Sequence, residues 1–127
     1  MLTKGFKDEH QRRITEALGK ILQLEFIPDD SNAQVDSILE DLLGVSVTNI
    51  ETINKEILLD ILQKKDLSFE NYVLLADVLF KILQIKKDIQ QQNLAQTIIA
   101  IYEYAQDKNH IFSFGLIQKI SQVKSYL

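Results

Sequence analysis

The chain contains no cysteine, which removes disulfides, thiolate catalysis and cysteine-based metal sites, and suits a reducing cytoplasm. It has one proline and four glycines, too few breakers for the many tight turns of an all-β fold. It also lacks an excess of positive charge. The formal charge is −4, whereas gripping phosphates calls for a concentrated basic face, so nucleic acid is not an expected partner. The opening residues, MLTKGFKDEHQRR, are charged and have no apolar h-region, so neither a signal peptide nor an anchor is expected. No apolar run reaches the roughly 20 residues of a membrane span.

What is present is apolar material. Hydrophobic residues make up 46% of 127 residues, enough for one domain with a sizeable core and too many for a disordered chain. The most apolar stretch is Ser68 to Lys86, SFENYVLLADVLFKILQIK. Wound as a helix, its apolar residues from Tyr72 to Ile85 cover most of the circumference. Only Asp77, Lys81 and Gln84 form a polar edge, on which Asp77 and Lys81 are spaced to pair. A helix apolar nearly all round is buried by neighbours on several sides. Ser68 is placed as its N-cap, with Glu70 in the first turn.

The other segments follow from helical spacing. A first helix is expected over about Phe6 to Glu25, carrying Ile14, Ala17, Leu18, Ile21 and Leu22 on one face. Along it, Glu9–Arg13 and Glu16–Lys20 are spaced as ion pairs, and Gly19 suggests close approach by another helix. Pro28 stops it, since proline restricts the residue before it. A second helix runs from near Ser31 to a C′ glycine at Gly44, with Val35, Ile38, Leu39, Leu42 and Leu43 as its stripe. Thr48-Asn49-Ile50-Glu51 reads as a capping box for a third, whose stripe is Ile50, Ile53, Ile57, Leu58, Ile61 and Leu62. Beyond a short break near Lys87, a fifth helix spans about Asp88 to Asp107 with a wide apolar band. A last helix, capped by Ser113, carries Leu116, Ile117, Ile120, Val123 and Leu127. The expected architecture is therefore a single all-α domain over residues 1–127, about six helices in antiparallel hairpins. It contains a hairpin at 68–107 and a terminal capping helix at 113–126.

Two patterns carry a resemblance. Tyr72, Leu75, Ala76 and Leu79 fall in the large-large-small-large order of a tetratricopeptide first helix, and Ala95, Ile99 and Tyr102 suit positions of its second. The second set lies about two helical turns later than in a standard repeat, and no second copy is evident. With FKDEHQRRITEALGKIL (Phe6 to Leu22) and ILEDLLGV (Ile38 to Val45), the chain resembles a small uncharacterised bacterial family of tetratricopeptide-like helical proteins. The resemblance implies an α-α superhelix, that is a right-handed tetratricopeptide-like array, or an irregular bundle. It brings no activity and no functional residues.

Chemical motifs are missing. His10 and His110 lie a hundred residues apart without ligands at metal spacing, and they read as surface or helix-end residues. No glycine-rich phosphate loop, Gly-x-Ser-x-Gly elbow, HExxH or calcium loop occurs. No catalytic, cofactor-binding or metal residue is therefore expected, and no cofactor. From Asp29 to Asp60 there are eight acids against one base, Lys55. That segment is a solvated acidic face or, on a sharper reading, a docking surface for a basic partner.

Three aromatic residues remain as partner-contact candidates: Tyr104, Phe112 and Phe114. Phe112 and Phe114 fit core and end-capping first and a contact patch second; Tyr104 fits either equally. The expected function is a non-enzymatic helical protein–protein interaction module or self-associating adaptor in the cytoplasm. Its partner would be another protein or a second copy in a homodimer, and not a membrane. The alternative is a small-ligand sensor or enzyme with a pocket between helices.

Overall fold

The apolar run at the centre of the sequence becomes the helix that the others enclose. The computed structural model describes residues 2–23, 37–41, 44, 50, 53–65, 67–85, 91–111 and 113–127, and all regular structure among them is helical. The elements are α1 (Leu2–Gln23), the helical residues 37–41 (α2), α3 (Lys55–Lys64), α4 (Phe69–Ile85), α5 (Gln91–Asn109) and α6 (Phe114–Lys124). None is long and apolar enough to cross a membrane.

Along α4, Tyr72, Leu75, Ala76, Val78, Leu79, Ile82 and Leu83 are buried, while Val73, Leu74 and Phe80 are partly covered. Only Glu70 and Gln84 of its described side chains are exposed. Ser68 caps it: its Oγ accepts from the Asn71 amide at 3.2 Å and its carbonyl from the Tyr72 amide at 3.0 Å. The principal packing is of α5 and α1 against α4, and of α6 and α3 against α5.

Cross-helix contacts give the directions. Asn71 meets Gln11 and Thr15, and Lys81 meets Leu22, so α1 and α4 run the same way. Tyr72 meets Tyr104 and Asp77 meets Tyr102, so α5 runs back along α4. Asp77 meets Lys119 and Phe80 meets Tyr126, so α6 again follows α4. The buried apolar side chains of these helices form one cluster.

Several helix ends follow their local chemistry. Gly44 has φ +75, the left-handed conformation of a C′ glycine, and its amide donates to the Glu40 carbonyl at 2.9 Å. Ser113 Oγ accepts from the Leu116 amide at 3.1 Å, capping α6. At the end of α5, His110 has φ 52 and the Ile111 amide donates to the Gln106 carbonyl at 3.2 Å, the long hydrogen bond of a Schellman closure.

Other expectations are corrected. The first helix begins at Leu2, four residues before Phe6. A Cβ added at Gly19 would meet nothing within 4 Å, so no helix presses on that glycine. Glu9 does pair with Arg13, at 3.4 Å, but Glu16 pairs with Arg12, at 2.6 Å, rather than Lys20. The third helix starts at Lys55, with Asn54 Oδ1 accepting from the Glu56 amide at 2.8 Å; non-helical Ile53 and Asn54 separate it from Ile50. Ile57, assigned to the buried stripe, is exposed, because the buried face of α3 is set by Leu58 and Leu62. The stop at Pro28, Thr48 and Glu51 of the capping box, Val35, Leu42 and Leu43, the break near Lys87 and half of the acids of the acidic run (Asp29, Asp30, Asp36 and Glu51) lie outside the described residues, while Glu40, Asp41, Glu56 and Asp60 are exposed.

Candidate functional site

The outer surface of α6 is built from two opposed demands on eleven residues. Leu116 and Val123 are buried against the preceding helices, and Ile120 is partly covered. Those three define one face by their spacing. Phe114 and Ile117 fall on other faces of the same helix, and the fold leaves them in water. Phe114 is 87% exposed and Ile117 51%, while Ile111, in the turn before the helix, is 40% exposed. Of the apolar residues expected on the last helix, Ile117 is exposed, and Leu127 is exposed beyond the helix end at Lys124.

A polar cluster fixes how α6 is turned. Tyr102, fully buried on α5, donates its phenol hydrogen to Asp77 Oδ1 on α4 at 2.5 Å. Lys119 on α6 donates to Asp77 Oδ2 at 3.1 Å and lies 3.1 Å from Oδ1. One carboxylate thus holds three helices in register. The predicted pairing of Asp77 with Lys81 does not describe this carboxylate. Lys81 reaches across to α1 instead, donating to the Leu22 carbonyl at 2.5 Å, where a cation suits the end of a helix. Burial, the hydrogen bond to Asp77 and that carboxylate's charge all push the Tyr102 pKa above its ordinary value. The phenol therefore stays a neutral donor.

The other end of α6 closes on α4. The rings of Tyr126 and Phe80 meet edge to face, 6.3 Å between centroids. Beside them runs a shallow groove of about 430 Å³, lined also by the amides of Gln84 and Gln122. A second shallow groove, about 290 Å³, lies where Lys55 and Lys124 flank Ile99 and Ala100. Among the described residues, no three His, Asp or Glu side chains come together as a metal site would require.

The three aromatic candidates separate. Phe114 is the most exposed large apolar side chain described, not the end-cap it first suggests. Tyr104 is half-buried: its ring meets Tyr72 edge-on at 5.2 Å, and Lys108 Nζ lies 5.9 Å from its centroid and 5.5 Å from that of Tyr72. Tyr104 therefore belongs to the seam between α4 and α5. Phe112 lies outside the described residues. Comparison with protein-family models, curated proteins and solved structures finds no match. What the chain does must therefore be argued from its own geometry.

Sequence reasoning missed Ile117, Ile111 and the Asp77–Tyr102–Lys119 cluster as parts of this region. A signal existed for the first: Ile117 lies off the face shared by Leu116, Ile120 and Val123, as Phe114 does. For the cluster there was none, because Lys119 is 42 residues from Asp77 and helical spacing cannot reach that far.

Proposed function

We propose that this chain is a non-enzymatic helical protein-interaction module, with the outer face of α6 as its contact surface. The observation that carries the reading is Phe114, 87% exposed on a helix whose register is held by a partly buried carboxylate cluster. Holding a phenylalanine ring in water forgoes about 1.5–3 kcal/mol of possible burial. Ile117 and Ile111 enlarge the apolar patch, and aromatic side chains are enriched at contact surfaces.

The alternation of helix directions, α4 and α6 one way and α5 the other, supports a tetratricopeptide-like arrangement of these elements. In that reading α6 is the first helix of a pair, and its outer face is the kind of surface against which a neighbouring helix packs.

The reading is tested by placing a photoreactive amino acid at Ile117, irradiating in native lysate and identifying the cross-linked chain by mass spectrometry. A discrete product, lost when Phe114→Asp is added, is the expected result. Absence of any Phe114-dependent product, to this chain or another, counts against the reading.

A further inference from the structure

We infer that the occupant of the α6 face is a second copy of this chain, paired antiparallel about a two-fold axis near Gln118. This rests on the reading of α6 as a contact surface and names what covers it.

Charge is the first argument. The exposed residues of α6 from Phe114 to Lys124 are Phe114, Gly115, Ile117, Gln118, Ser121, Gln122 and Lys124, among which only Lys124 is charged. The exposed positions of α1 include Arg12, Arg13, Glu16 and Lys20, and those of α3 include Lys55, Glu56, Asp60 and Lys64. In a two-fold contact through α1 or α3, residues near the axis would meet their own copies, like charge against like. The α6 face carries no acid and is where two copies meet without opposing carboxylates. In the antiparallel pair, Lys124 and its mate stand about 18 Å apart along the axis, beyond a Debye length at physiological salt.

Shape is the second. With the axis at Gln118, Phe114 enters the hole bounded by Gln118, Ser121, Gln122 and Ser125 of the other copy, all four exposed. The two serines leave room for the ring. The same face supplies knob and hole, as a two-fold contact requires.

Area sets the strength. Phe114, Ile117 and Ile111 leave on the order of 300 Å² of apolar surface open per copy. Two copies fall below the roughly 1,200 Å² of a standard stable interface. The pair is therefore transient, formed at concentrations of about 100 μM and above.

Sedimentation of the full chain from about 10 μM to 1 mM tests this. The weight-average mass is expected to climb from 14.6 kDa towards twice that. Phe114→Ser should weaken association at least tenfold without changing thermal unfolding, since the ring supports nothing in the fold. Because the chain lacks cysteine, a single Gln118→Cys near the axis should oxidise to a covalent dimer at least tenfold faster than Gln92→Cys, exposed on α5. Phe114→Ser should remove that difference. A mass fixed at 14.6 kDa throughout, or a dimer indifferent to Phe114→Ser, overturns the inference. A monomer that still cross-links from Ile117 to a different chain, in a Phe114-dependent way, overturns self-pairing and leaves the contact-surface reading standing. A monomer with no such product overturns both.

Discussion

Asn71 shows what one residue contributes here. It is fully buried, yet every polar atom of its side chain is used. Its Nδ2 donates to the Gln11 carbonyl at 3.1 Å and to Gln11 Oε1 at 2.7 Å, and its Oδ1 accepts from Thr15 Oγ1 at 2.8 Å. Gln11 Oε1 also accepts the Ser68 amide at 2.9 Å, which ties the start of α4 to the same pair of groups. An apolar contact between α1 and α4 could slide by a turn; this set of donors and acceptors matches in one register only. Asn71→Ala removes both bonds from Asn71 Nδ2 to Gln11 and leaves a gap in the seam, although Thr15 Oγ1 keeps the Gln11 carbonyl as acceptor at 2.8 Å. A loss of about 1–3 kcal/mol is expected in urea unfolding. His110 offers the opposite experiment. It occupies φ 52, a conformation that strains a side chain carrying Cβ. Its function as the residue closing α5 asks nothing of the imidazole. His110→Gly should therefore raise stability, by about 0.5–1 kcal/mol after the extra backbone entropy of glycine is subtracted. A fall in melting temperature would show that the ring, not the backbone, matters at that position.

Among elements, the seam of α4, α5 and α6 depends on Tyr102 remaining a neutral donor to Asp77. Its folded-state pKa lies above the ordinary value of about 10, owing first to burial, then to the hydrogen bond and the charge of Asp77. The native state therefore holds the phenol proton more tightly than the unfolded chain does. The stability tied to this group is fully present below about pH 10 and is lost as pH rises above it, at up to about 1.4 kcal/mol per pH unit. Tyr102→Phe should be less stable at neutral pH, by about 1–2 kcal/mol, since it withdraws a donor from Asp77. Above pH 10 its stability should fall less steeply than that of the wild type, by about one proton's worth of slope. Equal alkaline slopes would mean that Tyr102 titrates normally in the fold.

The same seam shows where reading a sequence runs short. The enclosure of α4, the wide buried band of α5, the caps at Ser68 and Ser113 and the glycine at Gly44 were legible, because each depends on residues within a turn or two of one another. Asn54, inside the stripe predicted for one longer helix, caps α3, because local chemistry does not rank the several residues that suit a cap. Asp77 found its partners on α5 and α6, beyond the reach of spacing along α4. Phe114 was legible as an aromatic next to a cap. Its exposure was not, because that depends on how α6 rotates about Leu116 and Val123 once Lys119 is drawn to Asp77.

For the whole molecule, the arrangement predicts an order of opening. Gln23 and Phe69 lie 46 positions apart in sequence, yet α1 is packed beside α4, so the core joins the first helix to the middle of the chain. The middle of α4 touches α1 and α5 and reaches α6 through Asp77, and its amides can exchange only when that core comes apart. By contrast, α6 buries only Leu116 and Val123 fully and is held laterally by one ion pair and one aromatic edge contact. It can detach while α1, α4 and α5 stay together. At about 10 μM, below the concentration of self-pairing, amides over 75–83 should show the slowest deuterium uptake, and those over 116–123 should exchange at least tenfold faster. Lys119→Ala should speed exchange over 116–123 further while leaving 75–83 nearly unchanged, because Asp77 keeps its hydrogen bond from Tyr102. At about 1 mM the two-fold pair adds a second set of contacts to α6, so its exchange should slow in the wild type and not in Phe114→Ser. Uniform protection across all helices at both concentrations would mean that α6 is an integral part of the core rather than its detachable, partner-facing edge.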